Sequence, residues 1–365
     1  MMRGIYIHIP FCQSKCPYCD FYSMRSDEET MERYTSAVIR EIEKSDDGIE
    51  ADTVYFGGGT PSFFGAERLV RILEAVKKKF KLVSPEITVE CNPASTSPEF
   101  FKKLSQSGVN RISLGMQSAV DNERHMLGRI SDRKTIRENV ANIKEAGIKN
   151  ISVDLMVGVP FQNKESLLAS IMFITQLDVQ HVSAYMLKIE EGTFFHKRQK
   201  LLPLPTEDET CDMYLFLCDY MEKLGFKQYE ISNFAKPGYK SRHNMKYWLT
   251  EEYISFGPSA HSFYNGRRYY YERDLEKYIA SPEKIDDGAG GDKEEYIMLA
   301  LRLNQGLSAG AYEERFGEKL TERFEEVAGE LRKYNLMKKS GDSYSLTPQG
   351  FLISNSIIAS LIDTL

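Results

Sequence analysis

The sequence predicts an α/β protein organised around a parallel sheet, and three observations carry that prediction. Six short strand-like runs alternate with six helical patterns through the first half of the 365-residue chain. Several of the helical patterns carry a start or stop signal of their own. After about residue 190 the alternation ceases.

The strand-like runs are Gly4–Ile9, Thr53–Phe56, Ile87–Cys91, Arg111–Met116, Ile151–Val157 and His181–Leu187. Each is short, rich in β-branched or aromatic residues, and bounded by turn residues. The helical patterns cover roughly 27–45, 65–80, 97–107, 120–128, 131–146 and 163–176. Ser97 and Pro98 suit a helix start, while Gly108 and Gly147 sit where helices end. Six successive β-α units imply a parallel sheet with helices packed outside it. Right-handed crossovers curl such a sheet into a barrel or leave it open and doubly wound, and six units fall two short of an eightfold barrel. Both architectures put ligands at the carboxyl ends of the strands.

Beyond residue 190, Pro203 and Pro205 break the chain, and Thr206 to Glu209 reads as a capping box opening a helix that runs through Leu224. An aromatic-rich stretch, 229–271, follows. Residues 281–292, with Gly288, Gly290 and Gly291, read as a linker. The last part reads as helices, then a segment around Tyr344 to Gly350, then a terminal helix, an order resembling a small winged-helix module. It is not notably basic, so a packing or lid role is favoured over DNA binding. The expected division is 1–190, 191–285 and 290–365.

A chain that is 42% hydrophobic and 27% charged forms a core without staples. The net charge of −6, spread without blocks, argues against a nucleic-acid partner. The start is too short and polar for a signal peptide, and no run reaches the roughly 18 apolar residues of a membrane span. The expected location is cytoplasmic, with peripheral membrane contact left open.

Three of the six cysteines, Cys12, Cys16 and Cys19, stand in a C-x3-C-x2-C run directly after the first strand. In a reducing compartment such crowding points to metal or redox chemistry. Three thiolates on one loop hold three irons of a 4Fe–4S cubane and leave the fourth iron open, the condition for binding a ligand such as S-adenosylmethionine. A structural zinc site is the alternative, and it would need His8 as fourth ligand. Cys91, Cys211 and Cys218 read as buried core thiols. Other polar residues collect at the strand ends. Gly57-Gly58-Gly59-Thr60-Pro61 follows the second strand, Glu90 sits in the third, and Gly115-Met116-Gln117-Ser118 closes the fourth. Asp154 lies in an otherwise apolar fifth strand, where a carboxylate is costly to bury unpaired, so it should face a polar site.

These residues resemble the radical S-adenosylmethionine proteins, which share the three-cysteine signature with an aromatic residue, here Tyr18, before the last cysteine. The resemblance implies a partial (β/α)6 TIM-like barrel, followed here by a C-terminal α+β extension and the small winged-helix-like domain. The segments YIHIPFC, GGGTP, TVECNP, SLGMQS, LGR and DLMVGVP look like the branch containing oxygen-independent coproporphyrinogen III dehydrogenase and the heme chaperone HemW. By that resemblance, Tyr6, Tyr18, Gly58, Gly59, Thr60, Glu90, Gln117, Arg129 and Asp154 fall at S-adenosylmethionine-binding positions.

Three features separate the two kinds of relative. The dehydrogenases carry a further cysteine two residues after the third, where this chain has Phe21. They also have a long extension before the first strand, where only a few residues precede Tyr6 here. Finally, Arg242 to Trp248 resembles the H-N-x-x-Y-W heme motif, which points to His243, Asn244, Tyr247 and Trp248 as heme-binding residues. A neutral imidazole suits an axial iron ligand, and Tyr247 and Trp248 offer flat faces to a porphyrin. His261 is a second candidate ligand. The resemblance therefore implies a chaperone that carries a 4Fe–4S cluster, S-adenosylmethionine and heme, and passes heme to an acceptor apo-hemoprotein, membrane-bound respiratory proteins included. Radical decarboxylation of coproporphyrinogen III is the alternative. No catalytic residue is assigned, and a homodimer stays open.

Overall fold

A computed structural model describes residues 2–365. The first six strands are β1 (Arg3–Ile9), β2 (Glu50–Gly58), β3 (Lys81–Cys91), β4 (Arg111–Gln117), β5 (Asn150–Val157) and β6 (His181–Met186). They pair in sequence order, all parallel. The helices between them, among them Glu28–Glu43, Ala66–Lys79, Arg133–Glu145 and Lys164–Leu177, fall within a few residues of the predicted spans. The reason is local. Ser97 accepts from the Phe100 amide ahead of Pro98–Gln106, and Gly108 and Gly147 take positive φ just past their helix ends.

One face of the sheet supplies the core beneath the helices. Ile5, Ile7 and Ile9 are fully buried on one side of β1, against Tyr34 and Val38 of the first helix. The alternate residues, Tyr6 and His8, face the other way, as the period of two requires. That inner side is polar: Thr53, Glu86, Thr88, Arg111, Ser113, Ser152, His181 and Ser183 are all buried.

The region after residue 190 extends the sheet at both edges, and one expectation within it needs correction. Here β7 (Lys227–Gln228) and β8 (Asn233–Ala235) add beyond β6, with β8 antiparallel to it. On the other side β9 (Tyr253–Phe256) lies parallel to β1, followed by β10 (His261–Tyr264) and β11 (Arg267–Tyr270). The stretch read as a linker contains β12 (Ile285–Ala289), an antiparallel edge strand on β11. Its glycines and aspartates hid it from a pattern reading, yet Arg267 pairs with Asp286 across the edge, a charged rim of the kind that discourages further pairing.

The C-terminal segment forms a three-stranded sheet of Leu307–Ser308, Met337–Ser340 and Ser343–Leu346 with five helices around it. Two helices, Ala309–Phe316 and Glu322–Lys333, precede the hairpin at 337–346, in the winged-helix order.

Candidate functional site

The polar strand ends converge on a cavity of about 840 Å³. Cys12, Cys16 and Cys19 line it from the loop after β1. That loop is closed at its base by two backbone bonds, Cys12 N to Met24 O and Met24 N to Pro10 O, both 2.9 Å. The Cys19 amide donates to Cys16 O at 3.1 Å, which makes the second half of the motif a tight turn. Pro17 is clamped from outside: its carbonyl accepts from Phe195 N, and it lies so close to Gly128 that a Cβ there would meet its ring at 3.0 Å.

The glycine turn after β2 is held just as firmly. Gly59 N donates to Ile9 O and Thr60 N to Phe11 O, each at 2.8 Å. A Cβ on Gly59 would stand 2.8 Å from both of those carbonyls, so only glycine fits. Gly58 has φ 106° and packs on the His8 ring. Thr60 Oγ1 lies 3.2 Å from Cys12 Sγ, joining the two loops.

The floor and far wall carry the charges. Glu90 accepts from Tyr55 OH at 2.8 Å; burial pushes its carboxyl up to about 7, and nearby Asp154 adds to the effect. Asp154, raised by burial, accepts from Ser113 Oγ at 3.0 Å. Arg129 donates through Nη2 to Tyr18 OH at 2.9 Å, while its buried Nε has no partner. Gln117 adopts φ 67° at a register shift in β4, a bulge that re-aims its side chain at the end of the strand.

Of the predicted residues, the three cysteines, Tyr18, Gly58, Gly59, Thr60, Glu90, Gln117, Arg129 and Asp154 line this one cavity. Tyr6 does not. Its ring is stacked with Tyr55 and His243 at 6.1 and 6.2 Å, and its hydroxyl meets His8 Nδ1 at 3.2 Å. Tyr55, Ser113 and Tyr185, which the sequence reading passed over, do line the cavity. Strand alternation was the signal that could have found them, since Tyr55 shares a face with Gly57, and Ser113 with Gly115.

These residues suit the expected groups. Three thiols spread along one loop match a cubane, whose irons take one thiolate each. His8 is spent on Tyr22 O and Tyr6 OH, so the zinc alternative loses its fourth ligand. The unpartnered Arg129 Nε offers a donor to an acceptor such as a carboxylate, and the close-packed glycine turn lets a ligand approach backbone.

The heme motif lies elsewhere. It forms a short helix, Arg242–Trp248, capped by Ser241, that packs against β1 and β2 near their amino ends. His243 is 1% exposed, and both ring nitrogens are engaged: Nδ1 with Thr53 Oγ1 and Nε2 with Tyr247 OH, each at 2.8 Å. Burial holds its pKa down at about 3, so the ring is neutral. In this conformation His243 is a packed core residue with both ring nitrogens hydrogen-bonded. Asn244, Tyr247 and Trp248 are half-buried on the same helix. His261 is exposed and stacks on Tyr270. Cys91 and Cys218 are buried, as expected, whereas Cys211 is only half-buried.

Comparison with known proteins places this geometry in a lineage. Residues 6–174 match the model of the Radical SAM superfamily, and residues 293–353 match the HemN C-terminal domain. The chain is 34% identical to "Heme chaperone HemW" of Lactococcus lactis, over 97% of this chain and 96% of that protein. It is 33% identical to the protein of the same name from Bacillus subtilis, over the full length of both. The solved structure of coproporphyrinogen III oxidase (HemN) from Escherichia coli superposes with a TM-score of 0.86 at 18% identity, covering 100% of this chain and 91% of that one, a likeness of fold. Radical SAM membership implies a 4Fe–4S cluster and S-adenosylmethionine. Sheet, cysteine loop and end-to-end identity agree, and the chain belongs to the HemW family of the radical S-adenosylmethionine superfamily.

Proposed function

We propose that this chain binds heme and hands it to an acceptor apo-hemoprotein. The observation that carries the reading is the end-to-end identity of 33–34% with relatives named heme chaperones. Phe21 supports it. It occupies the position of the dehydrogenases' extra cysteine, and the residue is 67% exposed.

In this reading Cys12, Cys16 and Cys19 hold the cluster, and S-adenosylmethionine lies in the cavity against Gly58, Gly59, Thr60, Glu90, Gln117, Arg129 and Asp154. Such a cluster, when bound, supplies an open iron and one-electron reducing power. The chain's own residues do the rest. Arg129 offers its free Nε to a carboxylate, Glu90 and Asp154 accept from hydroxyl or amino groups, and the glycine turn shapes the floor. Tyr6 acts from behind Tyr55 instead of touching the ligand.

Heme meets His243 once the helix Arg242–Trp248 gives up one of the two ring bonds. Residues 191–285 supply that helix, and 290–365 act as a packing unit. The acceptor is a hemoprotein, with membrane-bound respiratory proteins as one class to test. No helix among the described residues is long and apolar enough to cross a membrane, so docking at a membrane from the cytoplasm, as monomer or homodimer, would be peripheral.

The test is a heme titration of anaerobically reconstituted protein, following the Soret band in wild type and His243→Ala. A saturable shift near one heme per chain, altered in the variant, is expected. No saturable binding by the wild type overturns the reading.

A further inference from the structure

The inner side of the sheet holds a chain of hydrogen bonds with one consistent direction. It starts at the Ser241 amide, which can only donate, and which donates to Tyr229 OH at 3.2 Å. The Tyr229 hydroxyl lies 2.8 Å from His181 Nε2. Its single proton has its acceptor there, because its other partner, the Ser241 amide, cannot accept. Burial holds His181 neutral, so its one proton is on Nδ1, 2.7 Å from Ser152 Oγ. Ser152 is then free to donate to Ser183 Oγ at 3.4 Å, the longest link. Ser183 is the register partner of Asp154 across the β5–β6 pair, and its hydroxyl counters the rise that burial imposes on the Asp154 carboxyl. Ser241, Tyr229, His181, Ser152 and Ser183 are all at least 97% buried.

The two ends of this chain belong to different places. Asp154 opens on the cavity at the carboxyl ends of the strands. Ser241 caps the helix Arg242–Trp248, whose first turn is also held by Glu86 Oε1, accepting from Arg242 N at 2.9 Å and His243 N at 3.3 Å. Aligned hydrogen bonds polarise one another, so a full negative charge at Asp154 strengthens every link down to Ser241. A ligand that donates to Asp154 takes up that charge and weakens the same links.

We propose that His181 and Tyr229 are positioning residues that couple the cavity to the heme-motif helix, so that S-adenosylmethionine at Asp154 loosens the hold on Ser241 and frees His243. The inference rests on the assignment of the cavity to S-adenosylmethionine and of His243 to heme. By linkage the effect is reciprocal: each ligand tightens the binding of the other by the same factor.

Trp248, the only tryptophan, ends the helix in question and reports on it without heme. The experiment takes the full chain with its cluster reconstituted, titrates S-adenosylmethionine, and reads acrylamide quenching of Trp248. Equilibrium dialysis measures the bound ligand in parallel. In wild type the quenching constant should rise about twofold as the ligand saturates. Tyr229→Phe should start at the raised value and not respond, while still binding the ligand. Ser152→Ala, which cuts the chain at its middle, should behave alike and serves if the tyrosine variant misfolds. A wild-type Trp248 that ignores bound S-adenosylmethionine overturns the proposal, as does a full response in both variants. Absence of heme binding would sink the chaperone reading yet leave the Trp248 response standing, so the two failures are distinguishable.

Discussion

Cys12 and His243 show how one residue type changes role with its surroundings. Cys12, Cys16 and Cys19 are half-buried and open onto the cavity, whereas burial pushes the Cys218 thiol up to about 12 and leaves it inert packing. His243 carries a consequence for acid stability. Its pKa falls from 6.5 in the unfolded chain to about 3 when folded. Between those values the unfolded state binds a proton that the folded state refuses, so stability is lost as pH falls below 6.5. By pH 5 the loss from this residue reaches about 2 kcal/mol. His243→Gln should therefore show a shallower decline in unfolding free energy from pH 7 to 5, measured by urea denaturation at each pH. A slope equal to wild type would contradict the burial described above.

At the scale of elements, the turn after β2 is the most constrained piece of the site. Gly59 accepts no side chain without a shift, because Ile9 O and Phe11 O would each stand only 2.8 Å from its Cβ. Gly59→Ala should push the turn away from the cysteine loop, cost about 1–3 kcal/mol, and weaken S-adenosylmethionine binding at least tenfold. Thermal melts and equilibrium dialysis check both parts, and an undisturbed variant would show that the two loops are not jointly held. This element was legible as sequence: three glycines at a predicted strand end already implied close backbone approach. The edge strand β12 was not, because its partner β11 is supplied from outside its own segment and its composition mimics a linker.

For the whole molecule, the question is whether the C-terminal segment is a separate body. Helix Lys293–Ala300 buries Ile297 completely, and Leu301 and Leu303 follow it into the interior. Ile231 N donates to Arg302 O, and Asn304 N to Tyr229 O, each at 3.0 Å, with Glu230 buried between them. Ile297, Leu301, Tyr312 and Phe324 belong to the same continuous apolar core as Ile5 and Val153. Calorimetry of the full chain should therefore give one transition with equal calorimetric and van't Hoff enthalpies. Two resolved transitions would mean that the segment unfolds on its own.

By itself the sequence determined the six β-α units, their caps, the cysteine loop and the placing of Gly58, Gly59, Thr60, Glu90, Gln117 and Asp154 at strand ends, which depend on local periodicity, turn chemistry and residues a few positions apart. Arg129 and Tyr18 entered only through the family resemblance, and Tyr55, Ser113 and Tyr185 were passed over. The parallel sheet then brings all its strand ends to one side without further information. Tertiary structure alone decided the position of Tyr6 behind Tyr55, the enclosure of His243 by Thr53 and Tyr247, and the extension of the sheet by strands from the second half. Each of those depends on which distant segment meets which, and a hydrogen bond spanning 190 positions, as from Thr53 to His243, leaves no periodic trace in the chain.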